Sequence, residues 1–345
     1  MKTKKINVNK KYYSDLVNKL GYIIRKGGLV AFPTETVYGL GGNALSSKAA
    51  KKIYKAKGRP SDNPLIVHVA DKSQVKNFVK NINDLEHKLM DLYWPGPLTI
   101  VFEKKDIIPY ETSGGLDTVA IRCPDNNATR ALIRAAKVPL AGPSANISTR
   151  PSPTYAKSVL NDLDGRINAV IDNGDSKIGL ESTIVAVNEG KIIIYRPGAI
   201  TQEMLSELAP TALDTALKKS NEKPKAPGMK YRHYAPSAPL EIYVGNENKV
   251  EESILEISNE TDKIYGFFVS KETAEKLPKN SIVFCWGKRS DKKSMARNLF
   301  KGLLFFNSQK IDQIIGEGTD NKGIGMAIMN RLKKASGQHI VFVEK

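Results

Sequence analysis

With 345 residues, 41% of them hydrophobic and 26% charged, the chain can support two cored domains but is short for three. No run approaches the roughly 20 apolar residues of a membrane span, and Met1-Lys2-Thr3-Lys4-Lys5 leads into polar sequence, so a soluble, cytoplasmic protein is expected. Fifty-three Lys and Arg against 36 Asp and Glu give a net charge of +17, most of it in the front of the chain: from Leu240 onward 17 basic residues face 14 acidic ones.

Ser14 is placed to cap a helix whose apolar residues Leu16, Val17, Leu20, Ile23 and Ile24 keep helical spacing, with Gly27-Gly28 as its stop. Residues 29–32 then read as a buried strand ended by Pro33. In the stretch from Pro33 to Gly41 the threonine hydroxyls, the carboxylate and glycine-flanked Tyr38 either line a small polar pocket or belong to a capped turn. A helix over 49–56 ends at Gly58 and Pro60, which hold Lys57 and Arg59 on a short connection. Two cations so placed can converge on a polyphosphate or mark a solvated helix end. Further strands are expected at 65–69, 98–102, 119–122, 138–141, 169–171, 182–187 and 192–195, and helices at 84–93 and 128–136. This mixture indicates α/β architecture. Arg122 closes an apolar run, so its guanidinium needs a carboxylate, from a substrate or from the protein itself. The small polar residues Gly142 to Ser148 follow a strand, where open α/β sheets bind ligands, although on this segment alone an Asx-type turn or helix cap reads slightly better.

From 218 to 239 the composition shifts to Lys, Pro, Gly and Tyr, with Pro224, Pro227, Pro236 and Pro239 opposing regular structure. The expected division is a first domain over 1–212, a linker over 213–239 and a second domain over 240–345. In the latter, strands at 240–244, 264–269 and 281–286 alternate with helices that include 292–305 and 326–335, which predicts a smaller, Rossmann-like three-layer domain. No Walker A pattern is present. Gly316-Glu317-Gly318 with Gly323-Ile324-Gly325 lacks dinucleotide-fingerprint spacing after a clear strand and reads as a helix-start loop. Cys123 and Cys285 lie far apart without a metal-type neighbourhood, and both are expected to be buried small residues.

Taken in order, several segments resemble the YrdC-domain family in its long form, the two-domain threonylcarbamoyl-AMP synthases. They are Phe32 to Leu40, Lys57-Gly58-Arg59 with Asn63-Pro64-Leu65, Trp94-Pro95-Gly96-Pro97-Leu98-Thr99, Ile121-Arg122-Cys123-Pro124, Pro143-Ser144-Ala145-Asn146, Glu181-Ser182-Thr183 and Arg196-Pro197-Gly198. The linker from Ala226 to Pro236 looks like the long form's signature, and Gly323 to Arg331 resembles its accessory domain more loosely. The resemblance implies a twisted mixed sheet whose basic cavity holds ATP and threonine side by side. It places Thr36, His68, Arg122, Gly142 and Ser182 around threonine, with Arg122 on the carboxylate. It places Lys57, Arg59, Asn63, Thr118, Ser144, Asn146, Ser152 and Arg196 around the nucleotide, Lys57 and Arg59 being the catalytic pair, and makes Tyr234 part of a lid.

The activity implied is a nucleotidyltransferase that makes L-threonylcarbamoyl-AMP and pyrophosphate from L-threonine, bicarbonate or CO2, and ATP. Mg2+ would enter with the ATP, and no protein-ligated metal is expected. The product would serve threonylcarbamoyl-adenosine modification of tRNA beside the anticodon, through a transfer complex, with direct tRNA contact left open. Such chemistry needs charge neutralisation, positioning and exclusion of water rather than a protein nucleophile. The competing reading is a basic RNA-binding module of the same fold, for which the sequence carries no aromatic-basic signature.

Overall fold

A computed structural model describes residues 2–8, 13–214, 224–226 and 233–343. The chain divides into two units: Met1–Ser148 with Ser152–Lys177 and Glu181–Tyr231, and Arg232–Lys345 with Thr149–Pro151 and Ile178–Leu180. No helix among the described residues is long and apolar enough to cross a membrane.

In the first unit one sheet contains β1 (Lys4–Asn7), β2 (Val30–Phe32), β3 (Gly39–Asn43), β4 (Ile66–His68), β5 (Leu98–Glu103), β6 (Thr118–Arg122), β7 (Leu140–Ala141), β8 (Ala169–Asp172), β9 (Thr183–Asn188), β10 (Lys191–Arg196) and β11 (Thr211–Leu213). Their spatial order is β1-β8-β2-β3-β7-β4-β6-β5-β9-β10-β11. Parallel pairs such as β4–β6 and β5–β9 stand beside antiparallel pairs such as β5–β6 and β9–β10, so the sheet is mixed, as expected. Every strand predicted in this unit is present, whereas β1, β3 and β11 escaped prediction. The sequence of β3, Gly-Leu-Gly-Gly-Asn, has little strand propensity. It pairs because its glycines make room for a ring: a Cβ on Gly39 would stand 2.5 Å from Phe32.

The first helix, Tyr13–Arg25, contains Ser14 inside its first turn, so that residue is not the cap; the expected stop is realised at Gly27, with φ 77°. Helix Ser47–Lys57 is capped by Ser46 and halted by Gly58 in the left-handed conformation, φ 61°. That reversal separates Lys57, facing inward, from Arg59 on the outgoing loop.

Alternation along the central strands divides the sheet into two faces. Val67, Ile100, Ile121 and Val185 point into the main core, whereas Ile66, Val101, Ala120 and Ile184 form a smaller apolar cluster on the other side. By the same period of two, His68, Thr99 and Arg122 share that second face. Parts of the predicted linker, 215–223 and 227–232, lie outside the described residues. Its fragment at Ala226 is buried in the smaller cluster.

The second unit holds a five-stranded sheet of β12 (Leu240–Gly245), β13 (Tyr265–Val269), β14 (Ile282–Cys285), β15 (Gln313–Glu317) and β16 (Ile340–Val343), parallel throughout in the order β14-β13-β15-β12-β16. Helices Glu247–Ile257, Lys292–Phe306 and Ile324–Ala335 connect them, which is the anticipated layered architecture. Its core includes Val250, Ile254, Phe267 and Ile315, and Phe268 packs on Trp286 with centroids 4.6 Å apart. β15 and β16 were not foreseen. Gly316 and Glu317 therefore finish a strand instead of opening a helix, and Gly323 alone caps the helix that follows. Cys123 is buried as expected, but Cys285, at the end of the edge strand β14, is exposed.

Candidate active site

Arg122 is the anchor of the second face. Its Nε donates to the Gly96 carbonyl at 3.2 Å, Nη1 to Thr36 Oγ1 at 2.8 Å, and Nη2 lies 2.6 Å from Glu35 Oε1. Both charged groups are almost fully buried. The protein thus supplies a carboxylate for Arg122, one of the two alternatives the sequence left open; the loop's carboxylate was expected at most to line a polar pocket, and its pairing with Arg122 was not anticipated. Thr36 is held in turn by Thr34, whose hydroxyl lies 2.7 Å from that of Thr36 and donates to the Val37 carbonyl at 2.6 Å. Thr129 and Ser176 tie down the Pro33 and Thr34 carbonyls. The Pro33–Tyr38 stretch is therefore a pinned loop with its hydroxyls turned inward.

His68 sits opposite Arg122 in the β4–β6 register. Its ring meets Phe32 edge-on at 5.2 Å, and its Nδ1 is 3.2 Å from the Ile66 carbonyl. Burial, reinforced by the Arg122 charge, lowers its pKa to about 3, so it is neutral at ordinary pH. Gly142 lies against it: a Cβ there would be 2.7 Å from Phe32 and 3.0 Å from His68 Nδ1. Ser182 Oγ is 2.7 Å from Thr99 Oγ1, a contact the sequence motif contained without a role, and Ser182 also receives Arg196, Nε to its carbonyl at 3.0 Å and Nη2 to its hydroxyl at 3.2 Å.

Lys57 is one of the residues expected around a nucleotide. Its ammonium, 1% exposed, donates to the carbonyls of Ser144 and Asn146, and its own carbonyl accepts from Ser148 N at 2.8 Å. Burial and then the neighbouring Arg59 charge depress its pKa well below the usual lysine value, while Asp162 and Glu181 oppose the shift. Arg59, half-buried, braces the next loop by donating to the carbonyls of Asn63 and Pro64. The Asn63 side chain is buried, and its Oδ1 has no partner among the described residues. Ser152 donates to Glu181 at 2.7 Å, which makes Glu181 a second acid the sequence left without a role. Thr118 begins the strand that Arg122 ends, on the same face and roughly 13 Å away at strand rise.

The two sets meet through short links. Ser144, an acceptor of Lys57, is two residues from Gly142, which touches His68, the register partner of Arg122. Ser182 joins Thr99 to Arg196. Tyr234 belongs to the second unit, where its buried ring packs on Phe300 at 5.1 Å and its backbone takes φ 66°. Among the described residues no group of three or more His, Cys, Asp and Glu is arranged to hold a metal ion.

Comparison with known proteins accounts for both units. Residues 22–198 match a family model described as telomere recombination, and residues 200–337 one described as threonylcarbamoyl-AMP synthase, C-terminal domain. The threonylcarbamoyl-AMP synthase of Bacillus subtilis is 44% identical over 321 residues, 92% of either chain. That of Pyrococcus abyssi is 42% identical over 344 residues, 98% of this chain and 99% of its own. A crystal structure of P. abyssi Sua5 complexed with L-threonine superposes with a TM-score of 0.91 at 42% identity, covering 99% of this chain and all of that one. With likeness of this degree running through both domains, the chain belongs to the threonylcarbamoyl-AMP synthase family in its two-domain form.

Proposed function

We propose that the second face of the first unit's sheet is the active site at which this enzyme joins L-threonine, bicarbonate or CO2, and ATP into L-threonylcarbamoyl-AMP, releasing pyrophosphate. The observation that carries the placement is the chain of contacts by which the Lys57-held turn reaches His68 and Arg122. Arg122 donates one N–H each to Gly96 and Thr36 and pairs its charge with Glu35 without a hydrogen bond from Nη2, which leaves N–H groups on Nη1 and Nη2 to receive the threonine carboxylate. Thr36 and Ser182 offer hydroxyls to the amino acid, and neutral His68 adds no charge to compete with its amine.

The neutral amine of threonine adds to CO2 and gives up a proton to solvent, or condenses with bicarbonate and releases water, to give an N-carboxylate. An oxygen of that carboxylate attacks the α-phosphorus of ATP, the new O–P bond replacing the one to pyrophosphate. The protein's part is placement and charge. Lys57 uses two N–H groups to set the Ser144–Asn146 turn and has a third for a phosphate oxygen. Arg59, Arg196, Asn63, Thr118 and Ser152 complete the nucleotide side, the unpartnered Oδ1 of buried Asn63 awaiting an N–H donor. Mg2+ carried in on ATP would neutralise charge on the departing pyrophosphate. Ala226, buried against Ile66 and Ala120 beside the site residues, supports a covering role for the linker. The product passes to a transfer complex that modifies tRNA in the cytoplasm.

The test is pyrophosphate release from ATP by the purified chain without tRNA, with mass spectrometry of the adduct. Release should require both threonine and bicarbonate, and Arg122→Gln should raise the KM for threonine on the order of 100-fold, as expected for loss of a charged hydrogen-bonding partner. Release that ignores threonine, or an unchanged KM in the variant, would overturn the reading.

A further inference from the structure

The second unit contains a cleft that the synthase chemistry does not use. Its strand order sends the chain in opposite directions from two neighbours: from β12 past β15 to β13, and from β15 past β12 to β16. In an open parallel sheet the crevice at the carboxyl ends of such a pair is where ligands bind. A cavity of about 400 Å3 lies there, within the range of small-molecule sites, between Val244 and Gly245 at the end of β12 and Gly318 and Thr319 after β15.

Two glycines let the strand ends at the cavity pack closely. A Cβ on Gly318 would fall 2.3 Å from Val244, and Gly245, with φ 141°, leaves no room for one beside the Val343 carbonyl. The lining mixes two kinds of side chain. Met295, Met329 and Phe342 are apolar, and Phe342 is 70% exposed. Lys292 and Lys333 stand beside the methionines, three residues from Met295 and four from Met329 on their helices. Lys292 pairs with Asp320, but the half-buried Lys333 ammonium has no hydrogen bond or ion pair among the described residues. Thr319 N, also at the cavity, donates to the thioether of Met329 at 3.3 Å, a weak acceptor that a ligand oxygen would better. The acids nearby are mostly engaged: Glu317 receives Ser270 N, Thr273 and Arg289, and Glu247 stands at the exposed mouth.

A cation without a partner among the described residues, an under-satisfied N–H and an exposed aromatic residue around one hollow suit a ligand with an anionic group and a flat apolar group. We propose that this cleft is a second, non-catalytic nucleotide site, taking the phosphate of a nucleoside monophosphate on Lys333, Lys292 and Thr319 N and its base against Phe342 and the two methionines. Lysine point charges and a backbone N–H suit a phosphate; a carboxylate would favour an arginine fork, and Arg289 in the lining already spends its Nε and Nη2 on Glu317, Glu251 and Thr273.

The full-length chain, labelled with 13C at its methionine methyls, tests this by titration with AMP, the Met295 and Met329 signals being assigned through single Met→Leu variants. Both signals should move saturably. Lys333→Glu should raise the AMP dissociation constant at least tenfold while leaving threonine-dependent pyrophosphate release unchanged, and adenosine or inorganic phosphate alone should bind at least tenfold more weakly than AMP. Unmoved methionine signals at millimolar AMP overturn the proposal. So does inorganic phosphate binding as well as AMP, or adenosine binding as well as AMP with Lys333→Glu without effect. Failure of the wild-type chain to make the adenylate would strike at the catalytic assignment and leave these readouts standing.

Discussion

Acidifying from pH 8 to pH 5 should destabilise the first unit by about 2 kcal/mol through His68 alone. Burial holds this imidazole near pKa 3 in the folded chain, against 6.5 for an ordinary histidine. Between those values the unfolded chain carries a proton that the folded chain refuses, so stability rises with pH there. On acidification the loss begins near pH 6.5 and levels off near pH 3. At about 1.36 kcal/mol per pH unit the loss comes to ~2 kcal/mol by pH 5 and ~5 kcal/mol at the acid limit. Urea unfolding followed by Trp94 fluorescence, in a Trp286→Phe background so that only the first unit reports, measures this directly. His68→Gln keeps a polar group in place and removes the titration; other acid-sensitive groups cancel in the comparison. The two proteins should converge as pH falls, the variant losing ~2 kcal/mol less between pH 8 and pH 5. Parallel pH profiles would mean that water reaches the ring and would refute the reasoning.

Lys57→Ala should abolish adenylate formation and also lower stability by roughly 3 kcal/mol, since the Ser144 and Asn146 carbonyls lose a charged donor. Arg59→Ala should abolish it with a stability change within about 1 kcal/mol, because the side chain is half exposed; full turnover in either purified variant removes that residue from the mechanism. Gly142→Ala drives a methyl group into Phe32 and His68, and thermal melts should show a loss of about 1–3 kcal/mol together with weaker threonine binding. Ala226→Glu puts a carboxylate into the small apolar cluster, so free adenylate should escape into solution and ATP spent per captured product should rise; an unchanged ratio would deny the linker a covering role.

Much of this was legible in the sequence, and the gaps have physical reasons. Long apolar strands such as Leu98–Glu103 and Thr118–Arg122 announce themselves because both of their faces are covered. Gly39–Asn43 did not, because a glycine strand is chosen by the ring it accommodates, and that ring is seven residues or more away in sequence. Gln313–Glu317 was hidden by its glycine and its acid, and the acid turns out to be a buried receptor for Arg289 and Thr273. At the site the positions of Arg122, Lys57 and Ser144 could be anticipated from strand and helix ends. The Glu35, Thr99 and Glu181 contacts could not, because each depends on a partner between 29 and 87 residues distant.

The two faces of the central strands have a consequence for how such an enzyme can change. His68 and Arg122 are immediate chain neighbours of Val67 and Ile121, which point into the main core. Sliding either strand by a single position would hand the imidazole and guanidinium to the interior and expose the aliphatic residues to substrate. Descendants of this sequence are therefore free to lengthen or shorten the loops beside the proposed active-site face, but an insertion or deletion within β4 or β6 would forfeit folding and chemistry in one event.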